Sequence, residues 1–129
     1  MANENKKVLI VEDDEFLADI LVKQLAKAGF DTDLAIDAKA ALEKIKQEKP
    51  SLVLLDLILP GMNGFEFLEK IKSDPILRDI RVIILSNLGQ KDEIERGLKL
   101  GAEDFMVKAN YDINEIIQKV KNVLYRESQ

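Results

Sequence analysis

Five times along this chain a short apolar run gives way to a stretch where apolar residues recur every third or fourth position, and a cap or breaker marks each change of period. Lys7-Val8-Leu9-Ile10-Val11 is nearly continuous in its apolar residues, as expected of a strand buried on both faces. Asp14 then caps a helix carrying Leu17, Ile20, Leu21, Leu25 and Ala28 on one face, and Gly29 closes it where a left-handed residue is favoured. Phe30 to Ala35 alternates apolar and polar, which predicts a shorter, partly exposed edge strand. Asp37 caps the next helix, whose inward face is Ala38, Ala41, Leu42 and Ile45, and Pro50 lies beyond its end.

Leu52 to Asp56 is the third strand. Asn63 and Glu66 have capping-box spacing at the start of a helix with Phe65, Leu68 and Ile71 as its core face, ended by Pro75. Arg81 to Ser86 is the fourth strand, followed by a helix presenting Ile94 and Leu98 to the core and stopped at Gly101. Glu103 to Val107 is the fifth strand. The last helix opens at Asp112 with Glu115 three residues on, and lines one face with Ile113, Ile116, Ile117, Val120 and Leu124. Five strand-helix units predict a parallel α/β sandwich in three layers, because right-handed crossovers require helices on both faces of the sheet. At 129 residues the chain fits a single domain, with a core over about residues 6 to 126.

Composition then removes whole classes of chemistry. The sequence holds no Cys and no His, which excludes disulfides, thiol catalysis, imidazole-bound zinc, serine-histidine catalysis and a phosphohistidine on this chain. Carboxylates, hydroxyls and amines remain. A net charge of −5 argues against direct nucleic-acid binding, and no apolar run approaches the roughly 20 residues that span a bilayer. The N-terminal residues lack the pattern of a signal peptide, so a cytoplasmic location is expected.

In such a sheet the pocket forms at the strands' carboxyl ends, where the strand order reverses. Glu12-Asp13-Asp14 stand after strand one, Asp56 after strand three, Ser86 after strand four and Lys108 after strand five. Singly, Asp14 reads as a helix cap, Ser86 as a turn residue and Lys108 as a surface lysine. Their joint placement at one sheet edge makes a site the better reading, with Asp14 left as the cap. Asp56 ends a buried run and is held by a loop containing Pro60, Gly61 and Gly64, so it is suited to act as nucleophile or metal ligand.

These residues resemble the receiver domains of two-component response regulators, over essentially the whole chain. The resemblance rests on Glu12-Asp13, on Asp56 followed by Leu59-Pro60-Gly61-Met62-Asn63-Gly64, on Ser86, and on Phe105 with Lys108. It implies a flavodoxin-like (βα)5 fold with strand order 2-1-3-4-5. It implies Mg²⁺ or Mn²⁺ held by Asp13, Asp56 and the Ile58 carbonyl, with Glu12 acting through water. Asp56 would be the phosphoacceptor, served by a histidine kinase or histidine phosphotransfer protein, with Lys108 and Ser86 meeting the phosphoryl charge. Ser86 and Phe105 would form the switch that alters the face of helix four, strand five and helix five toward a downstream protein target, as monomer or phosphorylation-dependent dimer. Phe105 reads equally as a static core aromatic.

Some positions depart from the family pattern. Ala109 follows Lys108 where the family usually has a cis proline, Asn87 is larger than the usual neighbour of Ser86, and Ile58 offers no side chain to orient water. Slow self-hydrolysis of the phosphorylated form is expected from the last. Only a short polar segment follows Leu124, which suggests a stand-alone receiver without an output domain, doing no enzymatic work beyond its own phosphorylation and dephosphorylation. Rival readings are a phosphorylation-independent adaptor and a Mg²⁺-dependent aspartyl-phosphate hydrolase of the haloacid dehalogenase type. The hydrolase needs a second acid two residues past the nucleophile, where this chain has Ile58. A flavodoxin-like phosphate binder is opposed by an acidic loop where a phosphate cradle needs glycines.

Overall fold

The computed structural model describes residues 6–125. Five strands, β1 (Lys7–Val11), β2 (Asp31–Ala35), β3 (Leu52–Leu55), β4 (Arg81–Ser86) and β5 (Asp104–Val107), alternate with α1 (Glu15–Lys27), α2 (Ala38–Gln47), α3 (Gly64–Ser73), α4 (Lys91–Lys99) and α5 (Ile113–Tyr125). A single 3-10 turn, Lys108–Asn110, leads out of β5. All strands are parallel in the order β2-β1-β3-β4-β5, the order expected.

Period-two alternation within each central strand splits the core into two layers. Leu9, Val11, Val53, Leu55, Val82, Ile84 and Phe105 face Ala38, Ala41, Ile45, Phe67, Leu68 and Ile71 on one side of the sheet. Val8, Ile10, Leu52, Leu54, Ile83, Leu85 and Met106 face Leu21, Leu25, Ile116, Ile117, Val120 and Leu124 on the other. The central strands therefore read as unbroken apolar runs because both faces are covered, whereas β2 at the edge keeps polar residues.

Local signals act where their chemistry predicts. The Asp14 carboxylate accepts the N–H groups of Phe16 and Leu17, the capping box of Asn63 and Glu66 is formed in both directions, and Asp112 and Glu115 bond reciprocally. Gly29 and Gly101 adopt left-handed φ values of 99° and 111°. One expectation fails: Leu98 is 44% exposed rather than in the core, and Gly97 is the buried residue of α4. A Cβ at Gly97 would lie 2.6 Å from Ile84 Cδ1, so the helix approaches the sheet along its glycine and turns Leu98 outward. On α1, Leu17 and Ile20 are half-buried while Ala18, absent from the expected face, is fully buried.

Candidate functional site

The chain runs from β1 outward to β2, then returns to β3 on the other side of β1, so the switch point lies between the carboxyl ends of β1 and β3. Glu12 and Asp13 follow β1 there and Asp56 follows β3. Backbone bonds from Glu12 N–H to Ala35 C=O and from Asp56 N–H to Val11 C=O, both 3.0 Å, extend the ladder by one residue and fix where each side chain starts. The loop after Asp56 is closed by Gly64 N–H donating to Leu57 C=O at 2.9 Å. Gly61 takes a left-handed φ of 76°, and a Cβ on Gly64 would lie 2.8 Å from the Asp56 carbonyl oxygen, so the turn requires glycine at both positions.

Glu12 and Asp56 are buried, at 3% and 5% exposure, while Asp13 is exposed. Ligand oxygens of the three lie within 4.8 Å of one another. Lys108, delivered by the turn after β5, places its ammonium 2.9 Å from Glu12 Oε1 and 3.0 Å from Asp56 Oδ2. The other Asp56 oxygen accepts Ile58 N–H at 3.1 Å, and the other Glu12 oxygen accepts Asp14 N–H at 3.1 Å. One ammonium thus serves two buried carboxylates.

Protonation behaviour follows from this shortage of positive charge. Burial pushes the Glu12 carboxyl above its ordinary range, an effect that Lys108 and the Asp14 N–H only partly offset and that neighbouring Asp56 reinforces. Burial alone would lower the Lys108 pKa, but hydrogen bonds and charge from Glu12 and Asp56 outweigh it and hold the ammonium above its ordinary value. A pocket with three acids and one amine has the oxygen-rich, under-compensated character that a hard divalent cation neutralises.

Ser86 is fully buried at the end of β4, and its hydroxyl accepts Leu88 N–H at 3.3 Å. Phe105 sits in the layer beneath α4, 7% exposed. The Ile58 side chain is 54% exposed. The structure therefore joins Glu12, Asp13, Asp56 and Lys108 in one cluster, sets Ser86 at a neighbouring strand end, and keeps Phe105 in the core on the α4 side of the sheet. No cis peptide occurs among the described residues, so the Lys108–Ala109 bond is trans. Two features escape sequence reasoning: the direct Glu12–Lys108 ion pair, and Arg96, whose guanidinium stacks 4.2 Å above the Phe65 ring to tie α4 to α3.

Residues 8–121 match the profile of the response regulator receiver domain. The chain is 39% identical over 120 residues to sporulation initiation phosphotransferase F of Bacillus subtilis strain 168, covering 93% of this chain and 94% of that protein. It is 32% identical over 123 residues to the phosphate regulon transcriptional regulatory protein PhoB of Escherichia coli K12, covering 95% of this chain and 53% of that protein. The chain thus spans about half the length of such transcriptional regulators. Among solved structures, the receiver domain of Francisella response regulator 1452 superposes with a TM-score of 0.86 at 31% identity, covering 97% of this chain and all of that one. A CheY-like response regulator receiver domain protein from Methanospirillum hungatei JF-1 gives 0.89 at 27% identity, covering 97% and 98%.

Proposed function

This chain belongs to the receiver domains of two-component response regulators, and from that membership we propose that Asp56 is its phosphoacceptor and that phosphorylation there controls partner binding. The observation that carries the reading is Asp56 itself: a 5%-exposed carboxylate at the sheet's switch point, held by Lys108 at 3.0 Å with Glu12 and Asp13 beside it.

The donor set of Glu12, Asp13 and Asp56 suits Mg²⁺ or Mn²⁺, which Asp13, Asp56 and the Ile58 carbonyl would hold, with Glu12 acting through water. When bound, the ion neutralises acid charge and the charge on a transferring phosphoryl group. Asp56 attacks the phosphorus of a phosphohistidine on a histidine kinase or phosphotransfer protein; the phosphorus–nitrogen bond breaks and the imidazole leaves with its electron pair. The Lys108 ammonium is already beside Asp56 to meet the phosphoryl oxygens, and the Ile58 N–H orients the carboxylate. Ser86, whose hydroxyl oxygen accepts the Leu88 N–H, donates its O–H to a phosphoryl oxygen, and Phe105, beneath α4, transmits the change to the face of α4, β5 and α5. The chain acts as one receiver unit whose only chemistry is its own phosphorylation and dephosphorylation. Among the described residues no helix is long and apolar enough to cross a membrane.

The test is incubation with Mg²⁺ and a small phosphodonor, or with beryllium fluoride, beside Asp56→Ala. The expected result is Mg²⁺-dependent mass gain at Asp56 with amide shifts reaching Ser86, Phe105 and Lys108. A chain that neither gains mass nor shifts would instead be a phosphorylation-independent adaptor.

A further inference from the structure

Beside the acid pocket, with which it shares Glu12, a groove of about 660 Å³ runs between α1 and the edge strand β2. That lies within the roughly 300 to 1,000 Å³ of pockets that enclose a ligand or side chains. Its apolar wall is Ala18 and Val22 from α1, Leu34 from β2, and Ile36 just beyond it. Ile36 is 56% exposed. Glu15, Asp19 and Asp33 form the rim and Glu12 closes the inner end, while among the described residues no Lys or Arg lines the groove.

We propose that this groove docks a basic amphipathic segment of a partner protein, with aliphatic side chains on Val22, Leu34 and Ile36 and Lys or Arg side chains on Glu15, Asp19 and Asp33. Charge selects that occupant. An acidic rim repels nucleic acid, and it repels a second copy of a chain whose net charge is −5. Lys23 pairs with Asp19 at 3.0 Å, and Lys44 and Lys7 pair with Asp33 at 3.1 and 3.8 Å, none of the three lysines lining the groove. These pairs are part-exposed and weak, so an incoming cation can replace them. Strand addition to β2 is disfavoured because the Leu34 N–H already donates to the Asp33 carboxylate at 2.9 Å. The occupant therefore docks through side chains. None of this depends on phosphorylation at Asp56.

The test is an NMR titration of the full isotope-labelled chain with a peptide of three Lys-Leu-Leu-Lys repeats, beside a matched peptide in which Glu replaces Lys. Saturable shifts at Ala18, Val22, Thr32, Leu34 and Ile36 are expected with the basic peptide alone, and unchanged in Asp56→Asn. Glu15→Lys with Asp19→Lys, or Ile36→Ser, should weaken binding roughly tenfold, with thermal melts verifying that each variant folds. Equal binding of the acidic peptide overturns the proposal. So do shifts elsewhere that survive the charge reversals, and so does concentration-dependent self-association through these residues, which would assign the groove to a second copy.

Discussion

Lys108 reaches across the sheet edge to Asp56, 52 positions earlier in the chain, and closes a 3.0 Å ion pair with it while holding Glu12 at 2.9 Å. One flexible amine is thus the shared counter-charge of two buried carboxylates, and its removal tests both stability and chemistry.

Lys108→Ala should lower unfolding free energy by about 1 to 3 kcal/mol, since two buried charges lose their partner. Adding Mg²⁺ should raise the melting temperature of this variant more than that of the parent, because the ion replaces the missing charge. Phosphorylation at Asp56 should fall steeply even with Mg²⁺ present. An equal Mg²⁺ response in both proteins would argue against a shared role for ion and ammonium.

Gly64→Ala should be damaging out of proportion to one methyl group. Its Cβ would stand 2.6 Å from Leu57 Cα and 2.8 Å from the Asp56 carbonyl oxygen, backbone atoms that cannot rotate away. A loss of about 2 to 4 kcal/mol in urea unfolding is expected, with slower phosphorylation of the fraction that folds.

Asp33 ties the β2 edge to α2 and gives an acid-range prediction. Burial alone would raise its pKa, but the Lys44 hydrogen bond, the Leu34 N–H and the charges of Lys44 and Lys7 outweigh burial and hold it below its ordinary value. A lowered carboxylate pKa adds stability that is complete above the unfolded value near 4 and is lost as pH falls through the folded value. Asp33→Asn should therefore narrow the stability difference between pH 5 and pH 2, by no more than about 1 kcal/mol for a part-exposed pair. Urea midpoints across that range measure it.

Glu12, Asp56 and Lys108 were legible because each directly follows a strand-forming run, and parallel topology brings such positions to one edge. The same logic located Asp13 and Ser86. Leu98 was misplaced because a helical period groups it with Ile94, and apolar periodicity cannot register that α4 meets the sheet through the missing side chain of Gly97. Nor does any local pattern encode the Glu12–Lys108 pair or the stacking of Arg96 on Phe65, which depend on rotamers chosen after the elements have packed.

Ile58 has an exposed aliphatic side chain two residues past Asp56, whose carboxylate its backbone N–H already holds. It can shed water but cannot orient it for attack on an acyl phosphate. Slow loss of the phosphoryl group is expected, and Ile58→Asn should speed it roughly three- to tenfold by positioning water. Phosphate release after removal of the donor gives the rate. An unchanged rate would place control of hydrolysis elsewhere in the pocket.

Gly97 offers a test of how α4 reports on β5. The helix buries only this residue among Lys91–Lys99, and an added Cβ would fall 2.6 Å from Ile84 Cδ1 and 3.1 Å from Phe105 Cδ2. The first ends a flexible side chain and the second belongs to a buried ring, so either the side chains yield or the helix lifts. If the helix lifts, Gly97→Ala costs about 1 to 2 kcal/mol and shifts amides along α4 and β5 with Asp56 unmodified. Arg96→Ala in that background should cost about a further 0.5 to 1 kcal/mol by removing the guanidinium from the Phe65 ring. If Ile84 alone rotated aside, the gain in helix propensity, about 1 kcal/mol, would make Gly97→Ala the more stable protein, with shifts confined to its neighbours. The expected outcome is the first. The glycine seat lies directly on Phe105, so a change in that ring's position is also a change in where α4 can rest.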